Sequence, residues 1–249
     1  VKHKLIAKEL NILNKQQKLI MNDSKMECNN EKELEFYHKP ATVVGGDFYY
    51  AHKIDENRVA FIIADVMGHG IVANYMVAMI KGAFKTLCYQ YKTSGEIATH
   101  LNKILYDEFD KMGLFATALI NVFDTNENIL SISNAGHYSP IIVDENGEVL
   151  ENLNCKKGIP IGVLPDCDYH SNTFDVKNFP MIFMFTDGAL EIKNKNKEEY
   201  GLDRLKAFVK GNYKNSRNKI VENLKKETEN FTGSDNYDDD ILILMLKNI

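Results

Sequence analysis

The stretch VAFIIADVMGHG, residues 59–70, decides how the rest of the chain is interpreted. Its first six residues are all apolar, which is typical of a β-strand that is buried on both faces. Asp65 follows at once, and a glycine-containing segment at 68–70 then ends the extended pattern. A carboxylate at the end of a buried strand is costly unless something compensates its charge. The stretch therefore predicts a core strand that delivers an acidic group to one edge of a sheet.

Three further aspartates stand in the same kind of place. Asp47 comes directly before the run 48–50, Asp187 follows the apolar run 181–185, and Asp239 comes just before the last apolar run. Carboxylates that converge at one sheet edge repel one another, and a divalent cation removes that repulsion. Oxygen ligands suit hard ions such as magnesium or manganese. A single Asp-Gly pair is more often a turn, but four acidic strand ends together predict a metal site.

The first part of the chain predicts a helix followed by a linker. In residues 3–21, apolar residues recur at intervals of three and four, which is the helical period. The apolar stripe is narrow, so both a two-stranded coiled coil and a surface helix fit the pattern. Residues 22–33 are polar and predict a linker.

The remaining pattern predicts strands, then helices, then strands again. This order indicates an α+β fold in layers rather than alternating βαβ units. A helix over 70–91 is followed by a second helix, for which Ser94 is the predicted N-cap. The other predicted elements are strands at 115–123, 129–134, 140–143 and 181–186, a helical region at 202–230, and a last strand at 241–246.

Composition excludes several classes of function. The chain has 249 residues with 30 Lys+Arg against 35 Asp+Glu, so it lacks the excess of positive charge that broad nucleic-acid binding needs. Its apolar runs are too short to span a bilayer, no secretory signal is visible, and the four cysteines form no metal-binding pair. We therefore expect a cytoplasmic protein with reduced thiols, without direct membrane insertion.

Seven short motifs occur in order between Glu35 and Leu246. They are Val44-Gly45-Gly46-Asp47-Phe48-Tyr49, Ala64-Asp65-Val66-Met67-Gly68-His69-Gly70, Asn134-Ala135-Gly136-His137, Pro160-Ile161-Gly162, Thr186-Asp187-Gly188-Ala189-Leu190-Glu191, Tyr200-Gly201 and Asp239-Asp240-Ile241. Together they resemble the bacterial PPM-type metal-dependent serine/threonine phosphatases. Within that family, the motifs resemble the branch that includes stage II sporulation protein E and the phosphatases of sigma-factor regulation.

This resemblance implies a fold, a site and a reaction. The fold is a sandwich of two antiparallel β-sheets flanked by helices. Asp47, Asp65 and the backbone carbonyl of Val66 would bind one metal ion. Asp65, Asp187 and Asp239 would bind the second, with Asp65 as the bridge, and the four aspartates are the predicted catalytic residues. Two divalent ions, manganese or magnesium, would activate the water that attacks phosphorus.

The resemblance also implies partners. The expected substrate is a phosphoserine or phosphothreonine on a regulatory protein, an anti-sigma-factor antagonist. Because the chain begins with Val1, we expect it to be part of a longer protein. The resemblance implies that an N-terminal sensor domain precedes it. Residues 1–24 are then a helical linker segment, residues 25–249 are the phosphatase domain, and the linker helix is a candidate for homodimer formation. The hypothesis is that rearrangement of this linker orders the metal site.

Some residues depart from the family pattern without removing a predicted ligand. Met67 stands where Ser is usual, Tyr50 where Asp is frequent, and Leu242 where Thr is frequent. The usual basic residue before Gly-Gly-Asp is missing, so Lys39 is a candidate to anchor the phosphate. These differences bear on substrate handling more than on metal binding.

His69 and His137 are the two histidines within the motifs. His69 could assist proton transfer, but a turn or supporting role is favoured, and Asn134 with His137 is expected to brace the loop beside the metals.

The segment 45–48 superficially resembles the signature of diguanylate cyclases, but it lacks the expected acidic residue after Asp47. A catalytically weak scaffold module with the same fold is the other alternative.

Overall fold

The computed structural model describes residues 12–17, 19, 21, 25–41, 44–68, 70–150, 155–233 and 238–249. Most of the helix predicted at 3–21 lies outside these residues. Residues 12–17 and 19 are helical, as predicted, and form helix α1.

Two β-sheets form the centre of the protein, and helices cover their outer faces. The strands are β1 Lys25–Glu27, β2 Lys32–Lys39, β3 Asp47–Lys53, β4 Arg58–Val66, β5 Ala116–Asp124, β6 Ile129–Ala135, β7 Ile141–Val143, β8 Lys157–Gly158, β9 Asn172–Asp175, β10 Met181–Phe185 and β11 Ile241–Asn248. The helices are α2 Ile71–Gln90, α3 Ser94–Met112, α4 Gly201–Asn212 and α5 Arg217–Thr232, with a 3-10 turn at Asp187–Ala189.

One sheet has the strand order β1-β2-β11-β10-β7, and the other has the order β3-β4-β5-β6-β8, with β9 also paired to β6. Neighbouring strands are antiparallel, except that β6 and β8 run parallel. This α+β sandwich confirms the predicted fold class.

The strand β4 shows why its sequence is apolar without interruption. Ala60 and Ile62 face the layer of helices α2 and α3, whereas Phe61 and Ile63 face the opposite sheet. Successive side chains of a strand point to opposite faces, so a strand with packing on both sides needs apolar residues at every position. A third apolar layer lies between the β2-β11-β10 sheet and helices α4 and α5. The three layers hold the strand ends in fixed positions.

Several predicted boundaries are wrong in ways that have local causes. The segment 22–33 is not only a linker, because β1 and the start of β2 lie within it. The predicted helix over 202–230 is two helices, α4 and α5, which are separated at 213–216. The N-cap of α3 is Thr93 rather than Ser94, since its side chain accepts the backbone N–H of Glu96 in a capping box.

Helix α2 is the one helix in the described part of the chain that is long and apolar enough to cross a membrane. Its inward residues, among them Met76, Ile80 and Phe84, are buried in the core between α2, α3 and the sheet. A core helix passes the same test of length and composition, and these contacts show that α2 is such a helix.

Candidate active site

The predicted acidic residues lie at one edge of the two sheets. Asp47 and Asp65 are direct partners in the register of β3 and β4. Asp187 begins the 3-10 turn that follows β10, and Asp239 lies two residues before β11. Because β10 and β11 pair with each other, the ends of four strands bring these aspartates into one region.

The carboxylates of this cluster raise one another's pKa values. Burial, together with the charges of Asp187, Asp239 and Asp240, raises the pKa of Asp65 from 3.8 to about 7. The pKa of Asp47 is raised well above its usual range by burial and then by Asp65. Burial and Asp239 also raise the pKa of Asp187. The field at this edge therefore favours protons or cations over free carboxylates.

Thr186 joins the two sheets at Asp47. Its hydroxyl is buried, accepts a hydrogen bond from the backbone N–H of Leu242 (3.0 Å) and donates to Oδ2 of Asp47 (2.6 Å). Since the Leu242 amide can only donate, the hydroxyl proton is free for the carboxylate. Asp47 lies in one sheet and Leu242 in the other, so this hydroxyl orients one carboxylate oxygen across the sandwich.

His137 forms a second bridge between the sheets. Its Nε2 donates to the carbonyl oxygen of Phe185 (3.0 Å), and its Nδ1 accepts from the hydroxyl of Thr117 (2.7 Å). Burial lowers the pKa of His137 to about 4, which fits the neutral ring that this pair of bonds requires. Asn134 bonds both the backbone N–H and the carbonyl of His137. These hydrogen bonds hold the loop after β6 in place, which fits the bracing role expected for Asn134 and His137.

Close backbone approaches explain two of the glycines. A Cβ atom on Gly46 would lie 2.2 Å from the carbonyl oxygen of Val66, and one on Gly45 would lie 1.5 Å from Oδ2 of Asp240. Any side chain there would push apart the loop before β3 and the ends of β4 and β11. These positions therefore need glycine so that Asp47 can approach Val66 and Asp65.

Asp240 is a site residue that the sequence reasoning did not single out. It is buried, and its Oδ1 accepts the backbone N–H of Ala41 (2.8 Å). Its own N–H donates to Oδ1 of Asp239 (2.7 Å). It therefore fixes the carboxylate of Asp239 and ties the β2–β3 loop to β11. The signal was available in the acidic triplet 238–240, but spacing alone could not separate its three members.

Gln17 of helix α1 clamps the loop that carries Asp47. Its side-chain amide donates to the carbonyl of Gly45 (2.8 Å) and accepts the N–H of the same residue (3.2 Å). Gln17 is almost completely buried, so both bonds are shielded from water. The N-terminal helix is thereby connected to the acidic edge through one side chain.

The donor set fits a hard divalent cation in its chemistry. Its oxygens come from carboxylates, and the backbone carbonyl of Val66 lies against Gly46 at the same edge. Within the residues that the structure describes, no three acidic, histidine or cysteine side chains yet converge closely enough to chelate an ion. Asp239 is exposed, whereas Asp47 is buried. The register of β3 with β4 and of β10 with β11 brings the four aspartates to one edge. Their mutual effect on the pKa values of Asp47, Asp65 and Asp187 agrees with this placement.

Other predicted residues have different positions. His69 lies outside the described residues. Lys39 ends β2, and its register partner is Ile241, whose side chain belongs to the outer layer beneath α4 and α5. Tyr50 packs against Phe84 of α2 with Lys81 over its ring at 4.5 Å. The family's frequent Asp is thus replaced here by a core residue.

Two cavities of about 510 Å³ lie away from the acidic cluster: one is lined by residues that include Lys177 and Tyr213, and the other by residues that include Arg58 and Lys92. Neither contains a residue of the acidic cluster.

Solved structures have the same fold. The SiaA-PP2C domain of Pseudomonas aeruginosa matches with a TM-score of 0.82 and 19% identity, over 99% of this chain and 98% of that one. The structure of RsbX in complex with magnesium matches with a TM-score of 0.63 and 17% identity, over 90% and 98% of the respective chains. Two packed sheets with helices on both outer faces therefore define the class as the PP2C-type (PPM-type) phosphatase fold.

Within this class, the chain belongs to the Stage II sporulation protein E (SpoIIE) family, whose model matches residues 55–248. It is also similar to phosphoserine phosphatase RsbP of Bacillus subtilis, with 25% identity over 211 residues. That match covers 83% of this chain and 51% of RsbP. The chain spans about half or less of the length of the curated relatives that it matches. Fold and family together assign the chain to the PP2C-type fold and to the SpoIIE family.

Proposed function

We propose that this chain is the catalytic domain of a metal-dependent protein serine/threonine phosphatase. The observation that carries the proposal is the set of mutually repelling aspartates at one sheet edge in a PP2C-type fold. Burial and neighbouring charge raise the pKa of Asp65 to about 7, so a free carboxylate there lacks a counter-charge. Divalent cations supply that charge and, when bound, lower the pKa of water and polarise the phosphoryl group.

The proposed ligands are those that the family resemblance implies. Asp47, Asp65 and the carbonyl of Val66 hold one ion, and Asp65, Asp187 and Asp239 hold a second. Manganese and magnesium fit this oxygen donor set. The structure of RsbX in complex with magnesium supports dependence on a divalent ion, and neither the identity of the ions nor their number of two follows from it.

The chain's own residues keep the carboxylates in place. Thr186 donates to one oxygen of Asp47 and so fixes the orientation of this carboxylate. The neutral ring of His137 holds the end of β10 against β5, so that Asp187 stays close to Asp65. Such fixed groups lower the reorganisation that accompanies phosphoryl transfer.

The proposed substrate is phosphoserine or phosphothreonine on a regulatory protein, namely an anti-sigma-factor antagonist. Support comes from the name of RsbP, a phosphoserine phosphatase, and from membership of the SpoIIE family. The proposed location is the cytoplasm. No nucleic-acid partner is proposed, because the chain carries a net charge of -5.

Regulation is proposed to act through the N-terminal helix. Residues 1–24 would be a linker that joins the phosphatase domain, residues 25–249, to a sensor domain, and the linker helix would pair with a second copy. The clamp of Gln17 on Gly45 supports a mechanical connection between this helix and the Asp47 loop. Sedimentation showing a monomer, together with activity that is indifferent to deletion of residues 1–24, would contradict this proposal.

The test of the activity uses a phosphoserine peptide and para-nitrophenyl phosphate with manganese, magnesium or EDTA. Wild type is compared with Asp187→Asn and with a matched control, Asp107→Asn, whose residue is exposed on α3. We expect metal-dependent phosphate release that EDTA and Asp187→Asn abolish and the control retains. Calorimetric titration with manganese provides a second readout, in which Asp187→Asn weakens binding. A folded protein that binds manganese without releasing phosphate would overturn the assignment.

One observation favours the scaffold alternative. The acidic side chains do not yet converge as a chelating set within the described residues. A catalytically weak module would show manganese binding with little turnover even for protein substrates. The same experiment therefore separates the two functions, and formation of a cyclic dinucleotide from GTP would be needed to revive the cyclase alternative.

A further inference from the structure

Exposed apolar side chains form an arc beside the acidic edge. Met67, Ile71, Phe115 and Val163 are 45%, 61%, 37% and 44% exposed, respectively. We call these four residues the apolar arc. Single exposed apolar residues are common on protein surfaces, but a group of them next to a reacting centre marks a contact surface.

Hydrogen bonds and strand pairing place the members of the arc side by side. The N–H of Met67 donates to the carbonyl of Phe115 (2.9 Å). Ala116, the next residue, exchanges two backbone hydrogen bonds with Ile161 (2.9 and 2.8 Å), which brings the loop of Val163 to the same edge. Three neighbouring segments therefore end together, just beyond Asp65.

Helix α2 extends the arc on its other side. The N–H of Gly70 donates to the carbonyl of Val44 (3.0 Å), so α2 begins beside the loop that carries Asp47. Ile71, its first residue, points outward, whereas Ala73 and Met76 are buried beneath the helix. The arc thus follows the rim of the carboxylate cluster from the start of α2 to the loop at Val163.

The opposite rim carries acidic groups together with Lys157, whose Nζ lies 5.7 Å from the centre of the Tyr138 ring. Tyr138 stacks on Phe185, and its pKa is raised by burial and by the charges of Asp187, Glu191 and Glu199. A substrate that lies across the edge therefore meets an apolar surface on one side and negative charge on the other.

We propose that the apolar arc binds the phosphoprotein substrate, by taking apolar side chains that flank its phosphorylated residue. This inference rests on the proposed phosphatase function. A phosphoserine side chain is short, so the substrate backbone must lie against the rim when the phosphate reaches the carboxylates. Apolar flanking residues bury surface on the arc, whereas acidic flanking residues are repelled by the opposite rim.

The test compares two phosphoserine peptides of equal length and charge. One has Leu, Ile and Val around the phosphoserine, and the other has Ser, Asn and Thr. Wild type should show a kcat/KM about tenfold higher for the apolar peptide, mainly through KM, since burying one or two apolar groups gives an effect of this order. Phe115→Ser combined with Val163→Ser should remove the preference and leave para-nitrophenyl phosphate hydrolysis unchanged.

Ile104→Ser is the matched control. Ile104 is 55% exposed on α3, and Asn102 of the same helix bonds the carbonyl of Leu164. Two residues along a helix correspond to a rotation of roughly 200°, so Ile104 faces away from the loop that carries Val163. This variant should retain the peptide preference.

Binding of the two peptides is measured separately from turnover, by anisotropy of a fluorophore attached to each peptide. This measurement distinguishes a failure of the arc proposal from a failure of the phosphatase proposal. Preferential binding of the apolar peptide without phosphate release would refute the phosphatase assignment and retain the arc as a binding surface. Equal binding and equal turnover of both peptides would overturn the arc. A preference that survives the double variant would also overturn the proposal. If the double variant loses a dimer in sedimentation and keeps the preference, the arc is instead a contact with a second copy of the chain.

Discussion

Replacement of Asp65 by asparagine tests the electrostatic account of the acidic edge without any substrate. In the metal-free protein, burial and three neighbouring carboxylates raise the pKa of Asp65 from 3.8 to about 7. The folded chain therefore binds more protons than the unfolded chain between these two values. The stability that this group contributes is complete below about 3.8 and is lost as pH rises through about 7. Asparagine has no such dependence.

The size of the effect follows from the two pKa values. Integrated over pH 5 to pH 8, a shift of this size reduces the free energy of unfolding by about 3 kcal/mol. His137 acts in the opposite direction, because burial lowers its pKa to about 4 and its neutral form gains stability as pH rises. His137 is present in both proteins, so its contribution cancels in the difference between Asp65→Asn and wild type.

The assay is urea unfolding followed by circular dichroism at pH 5, 6, 7 and 8 in EDTA. We expect the stability of Asp65→Asn relative to wild type to increase by about 3 kcal/mol across this range. In EDTA at pH 8, Asp65→Asn should be more stable than wild type. Repeating the series with manganese should make wild type the more stable protein at pH 8, because only the intact site gains from the ion. A ligand at one hundred times its Kd adds about 2.7 kcal/mol.

Two results would refute the reasoning. A stability difference that stays constant from pH 5 to pH 8 would show that Asp65 is not under the field of its neighbours. A manganese effect of equal size in both proteins would show that the ion binds elsewhere. Asp107→Asn serves as the control, because its exposed carboxylate should produce neither effect.

Three further substitutions test the parts that hold the edge together. Thr186→Val should lower the free energy of unfolding by about 1–3 kcal/mol and weaken manganese binding, as the Leu242 amide loses its acceptor, whereas Thr186→Ser should restore both in calorimetry and unfolding. His137→Gln should remove the His137 contribution alone, so the stability of the variant relative to wild type should increase by about 2 kcal/mol from pH 7 to pH 5, measured by thermal unfolding with EDTA; a difference that does not change with pH would contradict the neutral bridge. Gln17→Ala should reduce manganese affinity more than Gln16→Ala, which alters an exposed neighbour. Equal affinities of the two variants would show that α1 does not influence the site.

Much of the site was predictable because its signal is local. Asp47, Asp65 and Asp187 each border an apolar run, and strands end where apolar runs end. Buried strands in one sheet bring their ends to common edges, so the position of each carboxylate follows from one short segment. The class of fold followed from the order of strands and helices in the same way.

The bridges between the sheets were not predictable from local patterns. Thr186 meets Asp47 across 139 positions of sequence, and His137 reaches Phe185 across 48. Threonine before an Asp-Gly pair is also a common turn residue, so its partner depends on how the two sheets pack. Strands β1 and β9 were missed because they are short and mainly polar, and they acquire their structure from β2 and β6.

The two bridges explain how an edge of repelling carboxylates can exist before an ion binds. Thr186 and His137 both hold the sheets together with groups that carry no net charge, so neither neutralises the aspartates that it positions. A lysine or arginine in the same place would stabilise the metal-free edge but would compete with the cation for the carboxylates. Neutral bridges leave the repulsion uncompensated, and binding of a divalent ion then relieves it. On this account, Thr186→Lys should raise the metal-free stability at pH 8 relative to Thr186→Val while abolishing manganese binding, and a variant that gained stability and retained the ion would contradict it.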